Sequence, residues 1–141
     1  MNFEVSLSPL TPDIIDLLTT NNLPIDDLTD QIIFFVLKRQ SQLMGCGGLE
    51  QLGKYGLLRS ICIHEAAKGK GMGKHIVKAI EQFAQAKSMD SLYLLTTTAA
   101  PFFQKLNYQV IDRQKVPEVL QMTSEFAHIC PSSAICMKKT W

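Results

Sequence analysis

The chain lacks most of the features that would send it to a membrane, a nucleic acid or an oxidising compartment. No apolar run approaches the ~20 residues that span a bilayer. Basic and acidic residues nearly cancel, leaving a formal net charge of +1. No global field therefore gathers DNA, RNA or an anionic membrane surface. The four cysteines, Cys46, Cys62, Cys130 and Cys136, include no Cys-x-x-Cys pair. They read as buried free thiols of a reducing cytoplasm, with no metal site implied. Met1 is followed by Asn-Phe-Glu, not by a basic stretch and an apolar run, so no secretory leader is read there. Repeats, low-complexity segments and linkers are missing. So are the P-loop, Gly-x-x-x-x-Gly-Lys-Ser/Thr, and the dinucleotide fingerprint, Gly-x-Gly-x-x-Gly, early in a βαβ unit.

What remains is a chain of 141 residues, 46% hydrophobic and 19% charged, which suits one domain over 1–141 with its own core. Residues 3–7 alternate weakly as a first strand. Thr11-Pro12-Asp13 opens a helix, with Thr as cap and Pro in the first turn. Pro24-Ile-Asp-Asp-Leu suggests a second short helix. Ile32 to Leu37 is a continuous β-branched and aromatic run, hence a buried strand. Leu43 to Glu50 and Leu57 to Ile63 follow as strands, turning at Gly53-Lys-Tyr-Gly56. A helix runs to about Lys87, with Met72, Ile76, Ile80, Phe83 and Ala84 at helical spacing. Ser91 to Thr96 is a strand, Pro101 to Leu106 a short helix, and Asn107 its left-handed cap. Tyr108 to Ile111 is a strand. Val116-Pro117 opens a late helix with Leu120, Thr123, Phe126, Ala127 and Cys130 on one face. Ser133 to Lys139 closes the chain as a strand. Strands 2 to 4 should be antiparallel; the fourth and fifth, joined by a helix, should be parallel by a right-handed crossover.

The most informative stretch is Lys68-Gly-Lys-Gly-Met-Gly-Lys74, between a strand and a helix. Gly69, Gly71 and Gly73 bare the main chain to a ligand. The helix that follows aims its unpaired N–H groups and positive dipole end at the same spot. With Lys68, Lys70 and Lys74 nearby, the stretch forms a socket for a phosphate or pyrophosphate.

These residues resemble the GNAT superfamily of acyl-CoA-dependent N-acyltransferases. Its signature, Arg/Gln-x-x-Gly-x-Gly/Ala after a strand, stands here as Lys68-Gly-Lys-Gly71-Met-Gly73, the strand ending at Ile63. Lys in place of Arg keeps the charge and loses the fork. A second signature, Phe-Tyr-x-Lys-x-Gly-Phe, reads Phe102-Phe103-Gln104-Lys105-Leu106-Asn107-Tyr108. Gly47-Gly-Leu-Glu50, Leu57-Leu-Arg-Ser60, Leu94-Leu-Thr-Thr-Thr98 and Cys130-Pro-Ser-Ser-Ala134 look like the GNAT subgroup named for arsenic resistance.

The resemblance implies an α+β, three-layer α/β/α fold with a mixed, mostly antiparallel sheet and a splayed parallel central pair. It implies acetyl-CoA as co-substrate. Backbone groups of Ile61, Cys62 and Ile63 would pair with the pantetheine arm, the Ile63 N–H polarising the thioester carbonyl. Gly69 to Lys74 would hold the diphosphate, and Phe102, Phe103 and Lys105 would flank the thiol and adenosine sides. Phe103 stands where the family often has a Tyr that protonates the departing thiolate. Glu50 is a candidate base acting through water. Arg59, in a core strand, is either a fork for a substrate oxyanion or an ion pair with Glu50. His64 and Glu65 read as loop residues near the coenzyme mouth, and His75 as exposed in the first turn of the coenzyme helix. His128 has no partner to name. Cys130 is a weak nucleophile candidate, because direct attack needs no covalent stage.

Amine basicity narrows the acceptor. Deprotonating a lysine-type amine at pH 7 costs about 4.6 kcal/mol, an α-amine about 1.4 kcal/mol. A site without Tyr or buried His therefore suits an α-amine or another weakly basic amine. The expectation is an N-acetyltransferase for a small-molecule amine, an amino acid or its toxic analogue among them, with a homodimer admitted and neither nucleic acid nor membrane as partner. The rival classes are a non-catalytic acyl-CoA-binding sensor, favoured by Phe103, and a protein N-acetyltransferase.

Overall fold

A computed structural model describes residues 4–123, 126 and 134–141 of the protein. Its β-branched and aromatic runs pair into one sheet of seven strands among the described residues. These are β1 (Glu4–Ser8), β2 (Ile33–Arg39), β3 (Gln42–Leu52), β4 (Tyr55–Ile63), β5 (Ser91–Thr96), β6 (Gln109–Val110) and β7 (Ile135–Thr140). Their spatial order is β1-β2-β3-β4-β5-β7-β6. Every neighbouring pair is antiparallel except β4 with β5. That exception follows from the connection: a helix carries the chain back across the sheet between them.

The strand residues alternate between two cores, as the period of two requires. Phe35 and Leu37 of β2 join a cluster with Met72, Ile76, Ile80 and Ala84 of α2 (Met72–Ala86) and Phe103 of α3 (Ala100–Lys105). Phe34 and Val36 point the other way, to Ile14, Leu17 and Leu18 of α1 (Pro12–Thr20). Leu57 of β4 packs with Leu120 of α4 (Glu118–Gln121) on that second face. The result is the expected three-layer α/β/α arrangement with a mostly antiparallel sheet.

The glycines of β3 have a spatial cause. A Cβ on Gly45 would lie 2.9 Å from Ile76 Cδ1, and one on Gly47 would lie 2.9 Å from Ile80 Cδ1. Removing those side chains lets α2 sit directly on the sheet, which brings its N-terminus to the end of β4.

Two expectations are corrected, and a third falls partly outside the described residues. Pro24 to Leu28 is not a helix; it passes as turns, with one Leu28 N–H to Ile25 carbonyl bond of 3.4 Å. Five residues form too few bonds to offset helix nucleation, and the Asp27 side chain is drawn away to Arg59. Of the late helix, one turn, Glu118–Gln121, is seen among the described residues, and most of the remaining expected span lies outside them. The Thr123 hydroxyl donates to the Leu120 carbonyl at 2.7 Å, a local alternative to continuing the helical ladder. Ala127, His128 and Cys130 lie outside the described residues. The strand expected at Tyr108–Ile111 is only Gln109–Val110. Asn107, at φ 73°, turns the chain as expected, and the Tyr108 N–H caps the Phe103 carbonyl at 3.1 Å instead of entering the sheet.

Candidate active site

The parallel pair β4 and β5 stays together for only three residues, Tyr55–Leu57 against Ser91–Tyr93. Beyond Leu57 the strands part, and a bulge in β4 accompanies the parting. Gly48 pairs with Arg59 and Cys46 with Cys62, so Gly47 alone faces both Ser60 and Ile61. Ser60 sits at φ 57°, a left-handed conformation that a serine adopts at a cost. An extra residue bends its strand and sharpens the twist. A cleft of about 420 Å³ opens there, lined by Leu58 to Ile61 on one side and by Leu94 to Ala99 on the other. Phe102 and Phe103 of α3 and Asn22 to Pro24, after α1, complete its walls.

The bend leaves the outer edge of β4 without a strand. The His64 N–H bonds the Met44 carbonyl, on the β3 side. N–H groups alternate along a strand, so those of Ile63 and Ile61 face the cleft. The Cys62 side chain turns to the opposite face, where its Sγ lies 3.6 Å from the Leu17 carbonyl. Burial pushes the Cys62 thiol up to about 11 and the Cys46 thiol up to about 12. Both stay protonated and unreactive at neutral pH, and by the same alternation the Cys62 backbone faces β3, so the expected Cys62 contact to the coenzyme is not offered: the cleft gets neither its thiol nor its amide.

After β4 a short 3-10 turn, Glu65–Ala67, leads into the glycine loop. Gly69 and Gly71 have φ of 81° and 77°, and a Cβ on either would meet nothing within 4 Å. They are therefore needed for their left-handed backbone, and the surface over them is open. Gly71 is the N-cap of α2. Gly73 does a different job: its Cβ would stand 3.2 Å from Phe102 Cζ, so its bareness seats α3 against α2. Lys68 pairs with Glu65 at 2.9 Å on the surface. That hydrogen bond and charge hold the Glu65 carboxyl below its ordinary value and raise the Lys68 ammonium above its own. Lys70, Lys74 and His75 are exposed around the same helix start.

Phe102 and Phe103 meet edge to face at 5.0 Å, and Phe103 meets Tyr108 at 5.5 Å. Phe103 is buried. The nearby Tyr108 hydroxyl is committed elsewhere, donating to Glu81 Oε2 at 2.8 Å. Burial, then the Glu81 carboxylate, drive its pKa far above the usual phenol range. No tyrosine is among the described residues that line the cleft. Lys105, the last residue of α3, is exposed and outside the cleft lining.

Arg59 also lines the cleft, and its side chain is only 2% exposed. Its Nη1 donates to Glu50 Oε1 at 2.7 Å and its Nη2 to Asp27 Oδ1 at 2.7 Å. The ion pair with Glu50 is the expected one. The second partner, Asp27, was missed. The signal for it was the burial demand itself: a core guanidinium with one neighbouring carboxylate leaves donors to fill, and Asp26-Asp27 was the nearby acidic pair. Glu50 stands beside Arg59 and is not part of the cleft lining. His64 accepts the Ala66 N–H on Nδ1 at 3.1 Å, capping the 3-10 turn. Ser60 was missed too, because a bulge is a property of two paired strands.

A free strand edge, apolar walls and a glycine-capped helix start form one continuous track. It offers amide donors to an extended pantetheine arm and N–H groups to a diphosphate, so the residues fit coenzyme A.

Comparison with known proteins agrees. Residues 30–110 match the acetyltransferase (GNAT) domain family. The chain is 33% identical over 107 residues to the Bacillus subtilis protein YyaT, covering 72% of each. It shares its fold with N-acetylglutamate synthase from Neisseria gonorrhoeae complexed with coenzyme A and N-acetyl-glutamate, at a TM-score of 0.78 and 16% identity. That alignment covers 97% of this chain and 35% of the synthase, so the chain spans about a third of that protein. It likewise resembles Rv2747 from Mycobacterium tuberculosis in complex with CoA, at a TM-score of 0.76 and 20% identity, covering 92% and 93%. The glycine loop, the free edge of β4 and α3 all fall within the matched segment, and the chain belongs to the GNAT family of acetyl-CoA-dependent N-acetyltransferases.

Proposed function

We propose that residues 1–141 form a single acyltransferase domain that moves an acetyl group from acetyl-CoA to the amine of a small molecule by direct attack. The observation that carries this reading is the parting of β4 and β5, which turns a strand edge into a binding edge ending at the N-terminus of α2. In this scheme Ile61 and Ile63 pair with the pantetheine arm, while Cys62 between them stays turned to β3. The Ile63 N–H polarises the thioester carbonyl. The amides of Gly69 to Lys74, with Lys68, hold the diphosphate. Phe102 and Phe103 flank the thiol end, and Lys105 the outer, adenosine side.

The amine nitrogen bonds to the carbonyl carbon, the C–S bond breaks, and the thiolate leaves with the electron pair. With Phe103 at the position of the customary tyrosine, the thiolate departs unprotonated or is met by water, which a thiol pKa of ~8.5 permits. Glu50, whose carboxylate keeps 23% of its exposure, is the base through water. Arg59 borders the acceptor. An amino acid or toxic analogue is the acceptor class that the resemblance to the arsenic-resistance subgroup supports.

The same Phe103 supports a second reading, a non-catalytic acyl-CoA sensor. A thiol-release assay over a panel of small amines, run beside calorimetry with acetyl-CoA, separates the two. Release of CoA that depends on one class of amine is the expected result. Coenzyme uptake without turnover on any amine would favour the sensor, and no uptake would remove both.

A further inference from the structure

We infer that the acceptor carries an apolar group beside its amine, and that Leu23, Pro24 and Leu95 receive that group. This rests on the acetyltransferase reading of the cleft and narrows the acceptor class of that same site: among amino acids and their analogues, those with an apolar side chain.

The cleft has two ends because the strands that part belong to a sheet covered on both faces. Of its lining, Leu58, Leu94 and Phe103 belong to the core under α2, with Ile61 and Phe102 packed against it. Leu23 packs instead on the α1 core and Leu95 on the α4 core, across the sheet. The gap between β4 and β5 therefore joins one face to the other. The glycine loop and the start of α2 lie at the first end, which the coenzyme takes. The body of the acceptor is left with the second.

That second end offers apolar surface. Leu23 and Leu95 are half-buried and Pro24 is exposed. Arg59 is the one titratable side chain among the described residues lining the cleft, and it is 2% exposed and paired with Glu50 and Asp27. The other polar groups of the lining, the Asn22 amide and the hydroxyls of Ser60 and Thr96 to Thr98, are neutral. Such a site suits an apolar body oriented by a few hydrogen bonds.

The end of α1 fixes Leu23 in place. Asn22 leaves the helix in the left-handed region at φ 61°, and the Leu23 N–H closes back on the Leu18 carbonyl at 2.9 Å. An apolar contact commonly accompanies such a closing turn, and Leu23 packs against the core that holds Leu18. A wall held by backbone bonds is preorganised, so covering it costs little ordering entropy.

Two pairs of acceptors test this: leucine against asparagine, and 3-methylbutylamine against 3-aminopropanamide. Each pair exchanges an isopropyl group for a carboxamide of similar size at equal charge. One pair carries a carboxylate and the other does not. The carboxamide also makes its amine less basic, which by itself favours the polar member. In a thiol-release assay with saturating acetyl-CoA, the apolar member of each pair should show about tenfold higher kcat/KM, as when a carboxamide enters an apolar wall incompletely paired. Leu23→Asn should bring both ratios toward one with the acetyl-CoA KM kept, while Leu23→Met should preserve them. Calorimetric titration of the protein–CoA complex with the same four compounds reads the preference without turnover and needs no variant. Preferential binding of the apolar members without transfer supports the inference and overturns the enzymatic reading alone. Wild-type ratios at or below one overturn the inference, as does a folded Leu23→Asn protein with unchanged ratios, or neither binding nor turnover of any of the four.

Discussion

The proposed coenzyme track is built from nearly consecutive residues, Ile61 to Lys74, whereas the buried ion-pair network behind the cleft wall joins Asp27, Glu50 and Arg59 from a loop and two strands. The first works through main-chain amides, and its side chains matter mainly by their absence, as at Gly69, Gly71 and Gly73. The second works through ionised side chains held out of water. Main-chain recognition needs only backbone shape, so short motifs preserve it. A side-chain network depends on partners brought together from far along the chain, so one substitution there is felt by all of its members.

The sharpest way to break this contrast is Arg59→Ala. It strands two carboxylates in a buried setting, and urea unfolding should show a loss of about 3–5 kcal/mol. A loss close to zero would mean that the network is surface decoration. Next comes Gly71→Val, which forces a β-branched residue into the left-handed region at about 1–2 kcal/mol. Acetyl-CoA affinity by calorimetry should fall with it. Gly53→Val, at φ 66° in the β3–β4 hairpin, imposes the same strain away from the cleft and should leave that affinity intact. Equal effects at both glycines would take the diphosphate off the loop. The smallest change is expected for Lys68→Ala. Its side chain is exposed and paired with Glu65, so acetyl-CoA affinity should weaken slightly, and less still at high salt. A large, salt-insensitive loss would move the weight of binding from amides to side chains.

The legibility of the fold follows the same division. Ile32 to Leu37 could be read as a buried strand because six apolar, β-favouring residues stand in a row, and the strand forms over Ile33–Arg39. Met72–Ala86 could be read as a helix because Ile76, Ile80 and Ala84 recur at its period and all three are fully buried. Pro24 to Leu28 misled because its helix-start chemistry is real but local, and the ion pair of Asp27 outweighs one turn of helix.

By itself, the sequence determined the order of the strands, the glycine loop between β4 and α2, and the phenylalanine at position 103, since each is written in contiguous residues. Only the tertiary structure decided that β4 bulges at Ser60, that the cleft opens beside it, and that Arg59 is shared between Glu50 and Asp27. A bulge is defined by the strand across from it, and a buried charge by the groups that surround it. Neither exists until distant segments have packed.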